Sequence, residues 1–168
     1  MKQATACLSI LFLLLSPDTK AQSWKIYYDS ARFYQSKNQH AGAITCYEKA
    51  DEILFRDSIG TASYANNCKM LAAAYASTRN YEKAEEFFQI AYETWQKLST
   101  NDPEYAKSCN NLGAIYFTTV KLFKAEVYYK KGKEAWERIS GRISSDYARS
   151  CFNLGNGYSR QMNYPQEE

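Results

Sequence analysis

Apolar residues recur at helical spacing in successive segments of the chain. Leu112, Ile115 and Tyr116 stand at i, i+3 and i+4, which places them on one face of a helix. Ala125 and Tyr129 begin a similar stripe in the next segment, and polar residues fill the positions between the apolar ones. This pattern predicts helices near residues 24–36, 40–55, 61–78, 81–98, 103–119, 122–139 and 145–161.

The pattern repeats with a period of about 42 residues, which lies in the range of helical repeat arrays. This period relates columns of like residues in the first helix of each unit: Tyr64, Tyr105 and Tyr147; Cys68, Cys109 and Cys151; Leu71, Leu112 and Leu154; Tyr75, Tyr116 and Tyr158. It also relates columns in the second helices: Ala43, Ala84 and Ala125; Tyr47, Phe88 and Tyr129; Leu54, Trp95 and Trp136. So many coincident columns indicate stacked units that share one core, with the tryptophans as anchors between units.

Local signals support the boundaries and the close packing. Asp102 followed by Pro103 is typical of a helix start, with a capping side chain and proline at the first helical position. Ser58 to Thr61 and Ser144-Ser145 precede two other starts. Gly113 and the alanine columns let backbones approach, and large side chains such as Tyr129 are expected to fill the space beside them.

These residues resemble the tetratricopeptide repeat (TPR). Its LGxxY motif is similar to Leu112-Gly113 with Tyr116, and its YxxA motif to Tyr81 with Ala84. The longer period is similar to the kinesin-light-chain-like subtype. The resemblance implies an all-α, right-handed α-solenoid of antiparallel helix pairs over residues 22–168, with about three and a half repeats at 24–57, 61–99, 103–140 and 145–168. Ala72 stands where the motif has glycine, and Ser30-Ala31 where it has Leu-Gly.

The composition argues against several kinds of functional site. One histidine, His40, leaves little basis for zinc sites or histidine-dependent catalysis, and its position at a helix start indicates a surface or capping role. The net charge of +3 gives no argument for a nucleic-acid partner. No cofactor, metal site or catalytic residue is predicted, and the chain is expected not to be an enzyme.

The N-terminal segment reads as a signal peptide. An apolar run from Ile10 to Leu15 follows Lys2, and it is too short to span a membrane. Ala21 precedes a plausible cleavage point, so residues 1–21 predict export to the periplasm or the exterior, with no stable membrane span. A buried N-terminal helix is the alternative interpretation.

Four cysteines lie beyond the predicted leader. Three of them occupy one repeat column, where stacked helices place equivalent residues about 8–10 Å apart, beyond the Cα separation of about 7 Å that a disulfide tolerates. They are therefore interpreted as buried small hydrophobes, with disulfides as the alternative.

The fourth repeat is short. Residues 163–168 align with the opening of a second helix, so Phe152, Leu154 and Tyr158 lack the helix that would cover them. Two interpretations follow: the chain is the N-terminal fragment of a longer bacterial protein, or its open end pairs with a second copy.

The resemblance implies a concave groove, lined by the first helices, that holds an extended peptide or a partner helix. The groove-facing columns give a candidate site: Asn66, Lys69, Lys107, Asn110, Asn111, Arg149, Asn153, Asn156 and Arg160. Asparagines can pair with peptide amides, and the basic residues would favour an acidic ligand. The alternative is that these residues are solvent-exposed and bind nothing.

Three functions compete. The first is a non-catalytic scaffold that binds protein. The second is the sensing or adaptor arm of a larger protein; resemblance implies a CHAT (caspase-like) peptidase, a sensor kinase or a transcription regulator beyond residue 168. The third is a structural protein that self-associates through its C-terminal repeat.

Overall fold

Seven α-helices account for almost all of the described chain. The structure is a computed structural model that describes residues 17–163, and the side chains of residues 23–162. The helices are α1 (Pro17–Ser36), α2 (His40–Ser58), α3 (Ala62–Ser77), α4 (Tyr81–Leu98), α5 (Pro103–Thr118), α6 (Leu122–Ser140) and α7 (Ser145–Asn163). Each helix packs on its neighbours in chain order, which confirms the predicted helical-repeat solenoid.

The predicted boundaries hold within a few residues except at the N-terminus. α1 begins at Pro17 and not near residue 24, because proline suits the first turn of a helix. The helix therefore runs through the predicted cleavage point after Ala21. The remainder of the predicted leader, residues 1–16, lies outside the described residues, as does the predicted second helix of the fourth repeat beyond Asn163.

The predicted caps form. The Asp102 carboxylate accepts a hydrogen bond from the Glu104 amide at 2.8 Å, with Pro103 in the first turn. The Thr61 hydroxyl accepts from the Tyr64 amide at 3.3 Å, and the Ser144 hydroxyl accepts from the Tyr147 amide at 3.2 Å. These bonds satisfy amides that the helix itself leaves without partners.

The turn inside each helix pair has one repeated geometry. One residue in each turn takes a left-handed backbone conformation, with φ of 57°, 63° and 61° at Asn38, Arg79 and Val120. The amide of the next residue then donates to the carbonyl five positions earlier, at 2.8–3.0 Å. None of the three residues is glycine, so the geometry carries a steric cost, which is largest for the β-branched valine.

The repeat columns form the core. The second-helix columns are buried throughout: Ala43, Ala84, Ala125, Tyr47, Phe88, Tyr129, Leu54, Trp95 and Trp136. Leu71 and Leu112 are fully buried in the first helices. The expected role of glycine is also confirmed, because a Cβ at Gly113 would lie 2.5 Å from two carbons of the Tyr129 ring.

One apolar residue of α7 is more deeply buried than the sequence predicts. Leu154 was expected on the uncovered face but is only 9% exposed, because it packs into the core formed with α5 and α6. Phe152 and Met162 are 67% and 84% exposed. The uncovered apolar surface of α7 is therefore smaller than the sequence indicated.

Candidate functional site

A groove of about 430 Å³ lies between the first helices of the second and third repeats. Its lining residues come from α3, α4 and α5: Ala73, Ala76, Ser77, Tyr81, Phe88, Asn111, Ala114, Ile115 and Thr118. We call this the α3–α5 groove. It lies on the surface that the resemblance expects to be concave.

Small side chains on facing helices make the groove. Ala73 on α3 and Ala114 on α5 occupy the same position in successive repeats, and Ser77 and Thr118 repeat the arrangement one turn later. Short side chains in both columns leave room between the two helices. Asn111 also lines the groove, and its amide can both donate and accept hydrogen bonds.

A charged cluster lies on the same two helices, N-terminal to the groove. Glu104 accepts a hydrogen bond from Lys107 at 2.7 Å and a second one from Lys69 on the neighbouring helix. Lys69 also donates to the Asn66 side-chain carbonyl at 3.0 Å. Burial alone would raise the pKa of Glu104, but the hydrogen bonds from Lys107 and Lys69 outweigh it and lower the pKa. One carboxylate thus offsets part of the positive charge that the sequence assigned to this surface.

Besides Lys69, two of the predicted residues connect repeats to each other. Asn110 donates to the buried Ser150 hydroxyl on α7 at 2.9 Å. It can approach because Gly132 has no side chain: a Cβ there would lie 2.5 Å from the Asn110 amide oxygen. The Arg160 guanidinium donates to the Phe117 carbonyl at 3.0 Å, and its Cζ lies 4.6 Å from the centre of the Phe117 ring. A ligand would have to break these contacts to use either side chain.

The remaining predicted residues lie on α7. Arg149 forms an ion pair with Asp146 on its own helix and is otherwise exposed. Asn153 is half-buried and Asn156 is exposed. Asn153 occupies the repeat position of Asn111, but α7 is not part of the α3–α5 groove. Of the nine predicted residues, Asn111 alone lines that groove, while Asn66, Lys69 and Lys107 cluster around Glu104.

Sequence reasoning missed the groove floor and the central carboxylate. A signal for the floor exists, since Ala73 and Ala114 fall in one column of small residues. Glu104 had no such signal, because its importance depends on Lys69, which lies on a different helix of the preceding repeat.

The four cysteines within the described residues are free thiols. Cys68 and Cys109 are buried, as expected, whereas Cys46 and Cys151 are only half-buried. Burial raises the pKa of the Cys68 thiol, and raises that of Cys109 to about 12. These two thiols are therefore poor nucleophiles at neutral pH.

His40 and the acidic residues form no metal site among the described residues. His40 is the first residue of α2 and is half-buried, so the expected surface position holds only in part. Within residues 23–162, no group of three or more His, Cys, Asp or Glu side chains could hold a metal ion. Along residues 17–163, no helix combines the length and the apolar character needed to cross a bilayer.

Family models match most of the helical region. Residues 60–131 match one tetratricopeptide repeat model and residues 25–53 match a second. No curated protein sequence matches the chain.

Solved structures share the architecture. BtubC (BKLC) from P. vanneervenii is 23% identical, with a TM-score of 0.80 over 86% of this chain and 59% of its own. A putative kinesin light chain from Podosopora anserina with nearly identical TPR-like repeats is 15% identical, with a TM-score of 0.72 over 85% of this chain and 77% of its own. The apo form of RapI is 20% identical, with a TM-score of 0.76 over 95% of this chain and 56% of its own. The chain thus spans less than two thirds of BtubC and RapI, and at these identities the likeness concerns the fold.

Proposed function

Since the chain carries tetratricopeptide repeats, which generally act as protein-interaction scaffolds, we propose that it is a non-catalytic scaffold. In this proposal it binds an extended segment of a partner protein in the α3–α5 groove. The observation that carries the proposal is the groove itself: about 430 Å³ between two first helices, with small residues on both sides and Asn111 within reach of a ligand.

The chemistry of the groove suits a peptide backbone. Ala73 and Ala114 leave the space that a backbone needs, and the Asn111 amide can pair with one peptide unit as donor and acceptor. Tyr81, which is half-buried, adds apolar surface for a ligand side chain.

The preference for an acidic partner rests on the cluster beside the groove. Two lysines and one glutamate give it a formal charge of +1, and the Lys107 side chain is exposed. A ligand carboxylate that pairs with Lys107 competes with Glu104, so we propose that acidity adds modestly to binding and does not dominate it.

The test of this proposal is a substitution that fills the α3–α5 groove. Peptides that bind the wild-type chain are selected from a phage-displayed random library. Their affinities for the wild-type chain and for the Ala114→Trp variant are then measured by fluorescence anisotropy. Ala114 is exposed in the groove, and an indole there occupies the ligand's space without disturbing the core. We expect at least about a tenfold loss of affinity, corresponding to about 1.4 kcal/mol.

The matched control is Ala41→Trp, which places the same side chain at an exposed position of α2, outside the groove. Peptides that bind Ala114→Trp as tightly as wild type would refute the groove as the binding site. Asn111→Ala and Asn153→Ala then separate the two asparagines: only the first is expected to weaken binding.

Self-association is a second candidate function, favoured by the exposed Phe152 and Met162 on α7. If the chain self-associates, its molar mass in size exclusion with light scattering is expected to rise with protein concentration. The Phe152→Glu variant is expected to stay monomeric. A wild-type chain that is monomeric at every concentration rules it out.

We also propose export, on the strength of the apolar run from Ile10 to Leu15. N-terminal sequencing of the protein recovered outside the cytoplasm is expected to begin at Gln22. Recovery only inside the cell, beginning at Met1, would refute this.

A further inference from the structure

A second pocket lies between the second helices of the second and third repeats. It measures about 460 Å³ and shares no lining residue with the α3–α5 groove. The residues that line it, which we call the α4–α6 pocket, are Gln89, Tyr116, Phe123, Lys124, Val127 and Tyr128.

Two exposed apolar side chains form one edge of the pocket. Phe123 is 62% exposed and Val127 is 51% exposed, one helical turn apart on the same face of α6. They bury little surface in the solenoid, so packing of the repeats does not account for them.

Comparison of the repeats shows that these residues are particular to this site. One repeat earlier, Glu82 stands at the position of Phe123 and Glu86 at that of Val127, so the second repeat carries glutamates at both places. The solenoid therefore accepts charged residues at these positions. Two large apolar residues next to a pocket are instead typical of an interaction surface.

The pocket walls are held in place by contacts of their own. The Tyr116 and Tyr128 rings stack with their centres 5.4 Å apart. The Tyr128 hydroxyl donates to the Gln89 side-chain carbonyl at 3.3 Å, which ties α6 to α4. An incoming apolar side chain would meet pocket walls that these contacts already order, and so ordering them would cost little.

Lys124 lines the pocket, and Lys131 lies one helical turn beyond Val127 on the same helix. The Lys124 ammonium lies 5.3 Å from the centre of the Tyr116 ring, and the Lys131 ammonium lies 5.2 Å from that of Tyr128. Neither lysine has a carboxylate partner within residues 23–162, whereas Lys121 and Lys130 pair with Glu85 and Glu126. The Lys131 ammonium donates a hydrogen bond to the Tyr92 hydroxyl at 2.9 Å, which leaves its positive charge without a carboxylate to balance it. Lysines of this kind in and beside a pocket with an apolar edge are complementary to carboxylates that flank an apolar residue.

We propose that the α4–α6 pocket is a second binding site of this protein. Its occupant is an acidic segment of a partner protein, which inserts one large apolar or aromatic side chain and places its carboxylates near Lys124 and Lys131. The site is independent of the α3–α5 groove, so the scaffold holds two segments at once.

The test uses the ¹⁵N-labelled full-length chain and a defined probe. An acetylated and amidated peptide of sequence Glu-Glu-Trp-Glu-Glu is titrated to about 1 mM, the concentration range in which a weak single-anchor contact registers. We expect amide shift changes that centre on Gln89, Lys124 and Tyr128. The same peptide with lysines in place of the glutamates is expected to cause no such changes.

The decisive variant is Phe123→Glu with Val127→Glu, which installs the residues of the second repeat and so preserves the fold. It is expected to weaken peptide binding at least about tenfold. The charge-matched control is Ser99→Glu with Thr100→Glu, at exposed positions just beyond the end of α4, which should bind like wild type. Circular dichroism establishes that both variants are folded.

Several outcomes would overturn the proposal. They are no shift changes at the highest concentration, changes centred on Ala73 and Asn111 in the other groove, equal binding of the lysine peptide, and undiminished binding by the Phe123→Glu/Val127→Glu variant. Each of them contradicts a specific part of the argument: the pocket, its position, its charge or its apolar edge.

Discussion

Gly113 and Gly155 hold the same position in successive repeats, yet we expect opposite effects when each is replaced by alanine. Both lie inside first helices and follow a leucine. In a helix interior, alanine is favoured over glycine by about 1 kcal/mol. The difference between the two sites comes from what the added methyl group would touch.

At Gly113, the new Cβ would lie 2.5 Å from Cδ1 and Cε1 of the Tyr129 ring and 3.0 Å from Cγ. Carbon atoms pack at about 3.5–4.0 Å, so the ring would have to move by about 1 Å. Tyr129 is buried and cannot swing into solvent. Overpacking of this kind costs about 1–3 kcal/mol, which leaves a net loss of about 1 kcal/mol after the helix gain.

At Gly155, the new Cβ would meet nothing within 4 Å. The helix gain of about 1 kcal/mol therefore remains, and Gly155→Ala should stabilise the protein. The two variants are expected to differ by about 2 kcal/mol in the free energy of unfolding.

The assay is urea unfolding followed by helical circular dichroism, with thermal unfolding in parallel. A difference of about 1 kcal/mol corresponds to about 2–4 °C in Tm for a chain of this size. Shifts of the same sign and size in both variants would refute the close approach of Gly113 to Tyr129. As a further check, Tyr129→Leu removes ring atoms from the contact, so it should couple to Gly113→Ala by more than about 0.5 kcal/mol.

Four further predictions follow from single side chains. Leu112→Ala empties a fully buried position and should lower the free energy of unfolding by about 2–5 kcal/mol, read from the urea midpoint; a loss within the error of a surface substitution would contradict its burial. Because the folded-state pKa of Glu104 is lowered, its contribution to stability is complete above the ordinary pKa of 4.5 and is lost as the pH falls through the lower folded value. Glu104→Gln should therefore destabilise the protein near neutral pH, and its difference from wild type should shrink in acid; a constant difference would contradict the ion pairs. Val120→Gly relieves a valine at φ 61° and should raise the unfolding free energy by about 1 kcal/mol, whereas an unchanged or lower Tm would argue against the left-handed turn. Cys68 and Cys109 should react with a thiol reagent only on unfolding, while the two half-buried cysteines react in the folded protein; four equally fast thiols would show that the core opens readily.

Much of the fold was accessible from the sequence. The helix pairs and the buried columns followed from spacing, because the period of apolar residues indicates which face of each helix turns inward. The helix start at Asp102–Pro103 followed from the residue types, a capping side chain and a proline. The start of α1 at Pro17 did not follow, because in the sequence the same residues suit either a leader or a helix.

The candidate site was only partly predictable. Asn111 lines the α3–α5 groove, whereas Asn110, its neighbour in sequence, turns to Ser150 on α7. Adjacent residues on a helix point about 100° apart, and which of them meets a neighbouring helix depends on how closely that helix approaches. Here Gly132 sets that approach, and it belongs to a third helix.

The sequence by itself determined the repeat, the helices and the core, because these depend on periodicity along one chain. Only the tertiary structure decided that Glu104 bridges Lys69 and Lys107, and that Phe123 and Val127 border a pocket that Gln89 also lines. These arrangements join side chains from different repeats, and they depend on the distance and rotation between neighbouring helices, which no spacing along a single chain specifies.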